Sequence, residues 1–470
     1  MDRFNFSKVM SILFVAALLL AGVEVRAQSA ERVDLMILGG TVVTMDGRRR
    51  VIENGAVAVR GSTIVAVGTR AEVAGRYRAR QTVNATGRAV IPGLINTHTH
   101  IPMVLFRGIA DDMDLNEWLT KFIFPAEAKN VTEEFVRAGT RLGVAEMIRG
   151  GTTTYADMYY FEDAIAEETY KAGMRGVLGE TIIDFPVPDN KTPKDALAYS
   201  ERYIKKWKGN ELITPALAPH APYTVATEIL QEARKLSDQL GAPLLIHVAE
   251  TQKEVNDLKA SKGDSPMMYL DKIGFLNDRV LAAHTVVLTD AEIDLMKAKN
   301  VGAAHCPQSN MKLASGVAPL PKMLAKDIAV GLGTDGAASN NDLNMWEEMD
   351  TAAKLHKVFT GDPTVVTALQ VFEMATIRGA RALKMETTIG SLEVGKLADI
   401  AIVDMDGLHQ TPMYNIYSHL VYATKASDVR AVIINGKPVM IERKLLTLNE
   451  GDIKRDANAF RVRIIESLKN

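Results

Sequence analysis

The chain is predicted to be an α/β protein: a (β/α)8 TIM barrel with a small β-sandwich domain built from both chain ends. Three observations predict this. Apolar strand-like runs end near His98, Asp157, Ile183, His220, His247, His284, His305 and Asp335, which makes eight. Amphipathic helical stretches separate them. Short β-type segments flank this long middle on both sides. Eight alternating units favour a closed barrel over an open doubly wound sheet. An open sheet would more often carry a Gly-rich phosphate turn after its first strand, and none is present.

Taken in order, the first residues stand apart. Arg3 and Lys8 precede an apolar run from Val9 to Gly22, and Val25-Arg-Ala27 offers small residues where a signal peptidase reads. This predicts a secretory signal peptide over 1–27, cleaved after Ala27, and a periplasmic or secreted protein. An uncleaved anchor ranks second, because the run is short of the ~20 apolar residues of a span. Strands follow at Val33–Leu38, Thr41–Met45, Gly55–Arg60 and Ile64–Val67, punctuated by glycines. Asp399–Val403, Val429–Ile434 and Pro438–Met440 repeat that idiom. The two sets are read as one composite β-sandwich over 28–90 and 391–450. The barrel occupies 91–390, and a helix over 451–470 ends the chain. Within the barrel, Thr132 is expected to cap a helix with Glu133 and Glu134 in its first turn. Phe135, Ala138, Leu142 and Ala145 give it an inward face, and Gly150-Gly151 stops it.

Composition narrows function. With 55 basic against 57 acidic residues, nothing suggests an electrostatic nucleic-acid surface. No later segment is apolar enough for stable membrane association once the leader is gone, and a homo-oligomer is left open. A single cysteine, Cys306, excludes internal disulfides and a Cys-rich zinc site. It reads as a structural thiol.

The chemistry lies in polar residues at strand ends. Ile91-Pro-Gly-Leu-Ile-Asn-Thr-His-Thr-His100 reads as one buried strand closing on two histidines that face the same side. Alone, His-x-His is more often a pair of unrelated loop residues. Here Leu244-Leu-Ile-His247 and Ile328-Ala-Val-Gly-Leu-Gly-Thr-Asp335 end in the same way. His98, His100, His247 and Asp335 together offer three nitrogens and one oxygen, a set suited to one divalent metal, Zn²⁺ first and Fe²⁺ second. Such an ion brings the pKa of a bound water from about 15.7 to near 7. Asp335 is then also a proton acceptor, and His284 a hydrogen-bond partner to that water. A second metal is the competing use of His284, but no lysine closes any candidate strand to help bridge two ions. Glu250, just past His247, is placed to protonate a ring nitrogen; its competing use is to cap the next helix. His220 could donate to a heterocycle nitrogen, and His305 could do so or brace the rim. His356, His409 and His419 read as structural or surface residues. Trp118, with Leu119, Phe122 and Ile123, reads by default as a packing face, in the same segment as Glu127.

These motifs together resemble the amidohydrolase superfamily, and within it the methylthioadenosine / S-adenosylhomocysteine deaminase group, with triazine chlorohydrolases as cousins. The resemblance rests on Pro-Gly-Leu-Ile-Asn-x-His-x-His100, Gly151-Thr-Thr-Thr, His247-Val-Ala-Glu250, Ala283-His284, His305-Cys-Pro-x-Ser-Asn-Met-Lys-Leu-Ala-Ser-Gly316 and Gly333-Thr-Asp-Gly336. It implies one metal on His98, His100, His247 and Asp335, and Glu250 as proton shuttle to a purine. It also implies His220 against the base, Glu127 on ribose hydroxyls and Trp118 over the nucleoside. Where that group carries an arginine for the homocysteine carboxylate, Gly176–Pro188 has Glu180 and Asp184 and no arginine. The expected activity is therefore deamination of a 5′-modified adenosine, with S-adenosylhomocysteine disfavoured. The rivals are hydrolysis or deamination of another amino- or chloro-substituted heterocycle, and an exported nucleoside-binding protein without catalysis.

Overall fold

The structure, a computed structural model, describes residues 30–469. The expected leader over 1–27 lies outside the described residues. Eight parallel strands form the barrel sheet: β6 (Leu94–Thr99), β7 (Thr152–Tyr159), β8 (Arg175–Ile182), β9 (Ile213–Pro219), β10 (Leu244–Val248), β11 (Val280–His284), β12 (Gly302–His305) and β13 (Val330–Leu332). They pair in sequential order, as short right-handed crossovers dictate. The ring closes where the Thr97 hydroxyl donates to the Leu332 carbonyl at 2.9 Å and the Asp335 amide to the His98 carbonyl at 2.9 Å. Every residue of β6, β7, β8, β10, β11 and β12 is buried, because helices cover the outside and side chains fill the interior. The helix expected after Thr132 spans Glu133–Arg149, with the Thr132 hydroxyl accepting from the Phe135 amide and Gly150 at its end.

Strands from both chain ends build one further mixed sheet of nine strands. Before the barrel come β1 (Glu31–Val43), β2 (Val51–Arg60), β3 (Thr63–Thr69), β4 (Tyr77–Asn84) and β5 (Arg88–Pro92); after it come β14 (Ile400–Asp404), β15 (Val429–Ile434), β16 (Lys437–Ile441) and β17 (Lys444–Leu445). The sheet turns back on itself: the Ile64 amide donates to Lys396 O at 2.9 Å and the Ala398 amide to Ser62 O at 2.8 Å. Ile37, Val57 and Ile64 thereby share a core with Ile400, Ile402 and Ile433.

Two expectations about strands need correction. Val33–Leu38 and Thr41–Val43 are parts of one strand, β1, which shifts register near Gly39 (φ +87°) rather than turning, and Thr44 and Met45 lie past its end. The stretch from Ile91 to His100 is two strands. Arg88–Pro92 pairs with β14, and the chain crosses into the barrel at Gly93. A Cβ there would lie 2.1 Å from Thr153 side-chain atoms, so only glycine lets the two sheets approach this closely.

The barrel and the terminal sheet are tied by a buried ion pair. Arg175, opening β8, donates through Nε to Asp399 Oδ2 at 2.7 Å and through Nη2 to Oδ1 at 3.1 Å, with both side chains 3% exposed. Removing one partner of such a pair strands the other charge. Arg175→Ala is expected to cost about 3–5 kcal/mol in denaturant unfolding, against under ~1 kcal/mol for Lys205→Ala in the exposed pair with Glu201. Equal losses would show that the buried pair adds nothing special.

Candidate active site

The barrel places its strand ends on one rim, and the polar residues expected there converge. His98 and His100 stand with ring centroids 4.9 Å apart, and His247 lies 5.0 Å from His98 and 5.3 Å from His100. Asp335 Oδ1 lies 3.4 Å from His98 Nε2 and 3.3 Å from His100 Nε2. His284 is 5.3 Å from His98, centroid to centroid. Among the described residues, two overlapping groups suit a metal: His98, His247 and His284, and His98, His100 and Asp335.

Partners on the far side of each ring set its direction. His100 Nδ1 meets Met158 O at 2.7 Å and His247 Nδ1 meets His220 O at 2.8 Å. A carbonyl only accepts, so Nδ1 carries the proton and Nε2 keeps its lone pair for a metal. His284 Nδ1 lies 3.0 Å from Asn310 Oδ1, leaving Nε2 3.6 Å from Glu250 Oε2. Asp335 sits in the left-handed region (φ +60°), with Oδ2 accepting from Ser309 Oγ at 2.7 Å and Ser339 Oγ at 2.9 Å. That pins one carboxylate oxygen and turns the other toward the imidazoles. His98 Nε2 is buried with no hydrogen-bond partner. An orphaned ring nitrogen beside two others and a carboxylate oxygen is the donor set of a divalent cation, so these residues fit one.

Electrostatics follow from burial and these pairs. Burial holds His98 down at about 4 and pushes His247 well below the usual imidazole range. Burial also acts on His100, but the Asp335 carboxylate overcomes it and raises His100 to about 9. Burial raises Glu250, opposed by the charge of His284.

Glu250 does not cap the next helix. Thr251 is the N-cap of Gln252–Lys262, accepting from the Glu254 amide at 3.1 Å. The Glu254 carboxylate in turn accepts from the Ala249 amide at 2.9 Å and the Glu250 amide at 2.7 Å. The Glu250 side chain is thereby free; Ser315 Oγ donates to its Oε1 at 3.0 Å.

Above this floor lies a cavity of about 710 Å³ walled by Leu115, Leu119, Phe124, Phe185, Tyr223 and Leu313, with Ser315 at its base. A narrower chamber of about 50 Å³, sharing Leu119 and Phe124 with it, meets His100, Trp118, Glu127 and His220. Trp118 is buried with its indole N–H unpartnered. The expected packing face around it is only partly right. Trp118–Ile123 is a wide π-type turn that buries Trp118 and Ile123 and leaves Phe122 exposed. Glu127 is buried, and burial pushes it up to about 7. His220 binds Thr224 Oγ1 through Nδ1 at 2.8 Å, its ring 4.8 Å from that of His247.

Other expectations resolve differently. Glu180 points away from the chamber, accepting from Asn190 Nδ2 at 2.8 Å and the Glu162 amide at 3.1 Å, while its neighbour Thr181 lines the chamber. Strand alternation dictates this, so Glu180 does not repel a ligand carboxylate. Asp184 is exposed. His305 leaves the cluster and pairs Nε2 to Nε2 with buried His356 at 3.0 Å. Cys306 is buried and its thiol is pushed well up, so it stays protonated. Local sequence pattern assigns no role to Ser309, Asn310 and Ser315, although they lie within the His305–Gly316 motif, nor to Glu254, Ser339, Tyr159 and Tyr160.

Comparison with known proteins agrees with this geometry. Residues 89–439 match the family described as "Amidohydrolase family". The chain belongs to the amidohydrolase family. A relative from Syntrophus aciditrophicus, named 5-methylthioadenosine/S-adenosylhomocysteine deaminase 1, is 47% identical over 439 residues, covering 93% of this chain and 99% of its own. The crystal structure of an adenosine deaminase from Xanthomonas campestris with bound zinc superposes with a TM-score of 0.92 at 41% identity, covering 93% of this chain and 100% of that one. A triazine hydrolase from Arthrobacter aurescens, at 24% identity and TM-score 0.84 over 91% of this chain and 99% of its own, shares the fold. Within this amidohydrolase, the histidines and Asp335 sit where a barrel of eight βα units exposes its strand ends.

Proposed function

We propose that this amidohydrolase is a metal-dependent aminohydrolase of adenosine nucleosides, foremost 5′-methylthioadenosine and adenosine, releasing ammonia and an inosine-type product. The observation that carries this reading is the Glu250 carboxyl, relieved of capping by Thr251 and Glu254 and held beside the imidazole–aspartate cluster. The names of the relatives support the nucleoside. His98, His100, His247 and Asp335 would hold one divalent ion, with zinc supported by the Xanthomonas structure. Bound there, the ion supplies a water acidified enough to attack at neutral pH.

The protein's own groups then have distinct parts. Asp335 takes a proton from the attacking water, and His284, its Nδ1 held by Asn310, turns Nε2 toward the oxygen as it adds to C6. Glu250 protonates N1 of the ring, so the six-membered ring accepts the electron pair without building charge. Asp335 returns its proton to the departing amine, which leaves as ammonia, while the hydroxyl on C6 gives its proton to the ionised Glu250 as the carbonyl forms. His220 contacts the base, Trp118 covers the nucleoside and Glu127 receives ribose hydroxyls. Export to the periplasm or beyond belongs to the same proposal, supported by the Val9–Gly22 run and the Val25-Arg-Ala27 site.

Ammonia release from zinc-loaded protein tests the reading. Adenosine and 5′-methylthioadenosine are expected to turn over, with kcat/KM for S-adenosylhomocysteine at least about tenfold lower. Asp114, Lys253, Glu254 and Asp257 are the carboxyl and ammonium groups lining the 710 Å³ cavity, and Lys253 already pairs with Asp257. No spare cation there meets an amino-acid carboxylate. Absence of ammonia from every aminated purine sinks the function, whereas S-adenosylhomocysteine turned over as well as the others sinks only the preference.

A further inference from the structure

Tyr159 and Tyr160 are consecutive, yet both phenols reach one carboxylate. In a continuing strand they would point to opposite faces. Strand β7 ends at Tyr159, and Phe161 takes a left-handed backbone (φ 56°, ψ 43°), so the chain leaves the sheet between them. The rings lie 4.8 Å apart. Tyr159 Oη donates to Glu127 Oε1 at 2.8 Å, and Tyr160 Oη approaches Oε2 at 3.4 Å. Glu127 comes from a different element, the Phe124–Asn130 helix that follows the π-type turn. All three side chains are buried and line the chamber that reaches His100 and His220.

Counting acceptor positions indicates what this arrangement receives. Above pH 7, where Glu127 is ionised, its carboxylate offers about four lone-pair positions, two on each oxygen. The phenols take one on each oxygen, leaving one open on each. Two coplanar acceptors about 2.2 Å apart, a fixed property of the carboxylate, match two hydroxyls on adjacent carbons. Burial keeps both phenols protonated, so each remains a donor to the carboxylate.

Resting on the nucleoside reading above, we propose that Tyr159 and Tyr160 are positioning residues that present Glu127 to the 2′- and 3′-hydroxyls of the ribose, and so make the enzyme select ribosides over deoxyribosides. Without the phenols, the carboxylate would be free to rotate about its last torsion, and one-point contact would replace two-point contact. The tyrosines touch neither the purine nor the reacting atoms, so the effect falls on binding of the sugar.

The test compares adenosine with 2′,3′-dideoxyadenosine. Wild type is expected to favour adenosine by at least about tenfold in kcat/KM, the loss of hydrogen bonds to a charged group. Tyr159→Phe is expected to raise KM for adenosine about tenfold with kcat within about twofold, and to leave the dideoxy substrate within about twofold on both constants. Tyr160→Phe, removing the longer contact, should act in the same direction by about threefold. Glu127→Gln, which loses one acceptor oxygen, serves as an independent variant and should raise KM for adenosine by at least about tenfold. Equal losses on both nucleosides, or an unchanged KM for adenosine, would overturn the positioning role. A wild type that deaminates both equally well sinks the diol proposal and leaves the deaminase reading standing; a wild type that releases no ammonia from either defeats the deaminase reading itself.

Discussion

Glu250→Gln is expected to lower kcat on adenosine by about a thousandfold, within the ~10²–10⁴ range of a positioned proton donor. Glutamine keeps the volume and can still accept from Ser315, whose Oγ lies 3.0 Å from Glu250 Oε1. It cannot give up a proton at N1. The loss should therefore appear in kcat, with the melting temperature within a few degrees of wild type and metal content unchanged. A 6-chloropurine riboside provides the contrast, since chloride leaves without a proton. The variant is expected to lose at least about tenfold less on that substrate than on adenosine. Equal losses on both would remove Glu250 from the proton-transfer role and leave it a mere support of His284, 3.6 Å away.

Asp335→Asn should be as damaging by a different route, lowering kcat by about a thousandfold or more, on the scale of several kcal/mol of lost stabilisation. One carboxylate oxygen faces His98 and His100, and the other is pinned by Ser309 and Ser339. An asparagine in this frame places its amide nitrogen against either the imidazoles or the two hydroxyls, and its oxygen is a poor ligand and no base. Metal measured after dialysis should fall below one ion per chain. Ser309→Ala, which only loosens the aspartate, is expected to weaken metal affinity by about 10–100-fold while retaining activity at saturating zinc. Full metal content and full activity in Asp335→Asn would sink the assignment.

The candidate site was legible in the sequence to the extent that it is local. Residues at strand ends announce themselves: an apolar run of three or four residues, then His247 or His284, says both where the strand stops and what is exposed there. The same signal misled where it lacked the neighbouring chain. Ile91–Ile95 reads as one unbroken apolar run, yet its halves serve two sheets, because Thr153 packs against Gly93. Glu180 looked available on its strand and faces the wrong way. Trp118 and Glu127 drew their roles from resemblance alone, since a π-type turn breaks the helical periodicity from which a face is read.

What the sequence determined by itself was the alternation of strands and helices, and hence the barrel and the terminal sheet, together with the residue types at the strand ends. Hydrophobic period and strand length are properties of contiguous residues, so they can be read without neighbours. Only the tertiary structure decided that Thr251 and Glu254 free Glu250, that Ser309 and Ser339 aim Asp335, and that two adjacent tyrosines share Glu127. These are contacts between loops brought together by closure of the ring. A hydrogen bond between residues 65 positions apart, as from Ser315 to Glu250, depends on where two backbones come to rest, which no local pattern encodes.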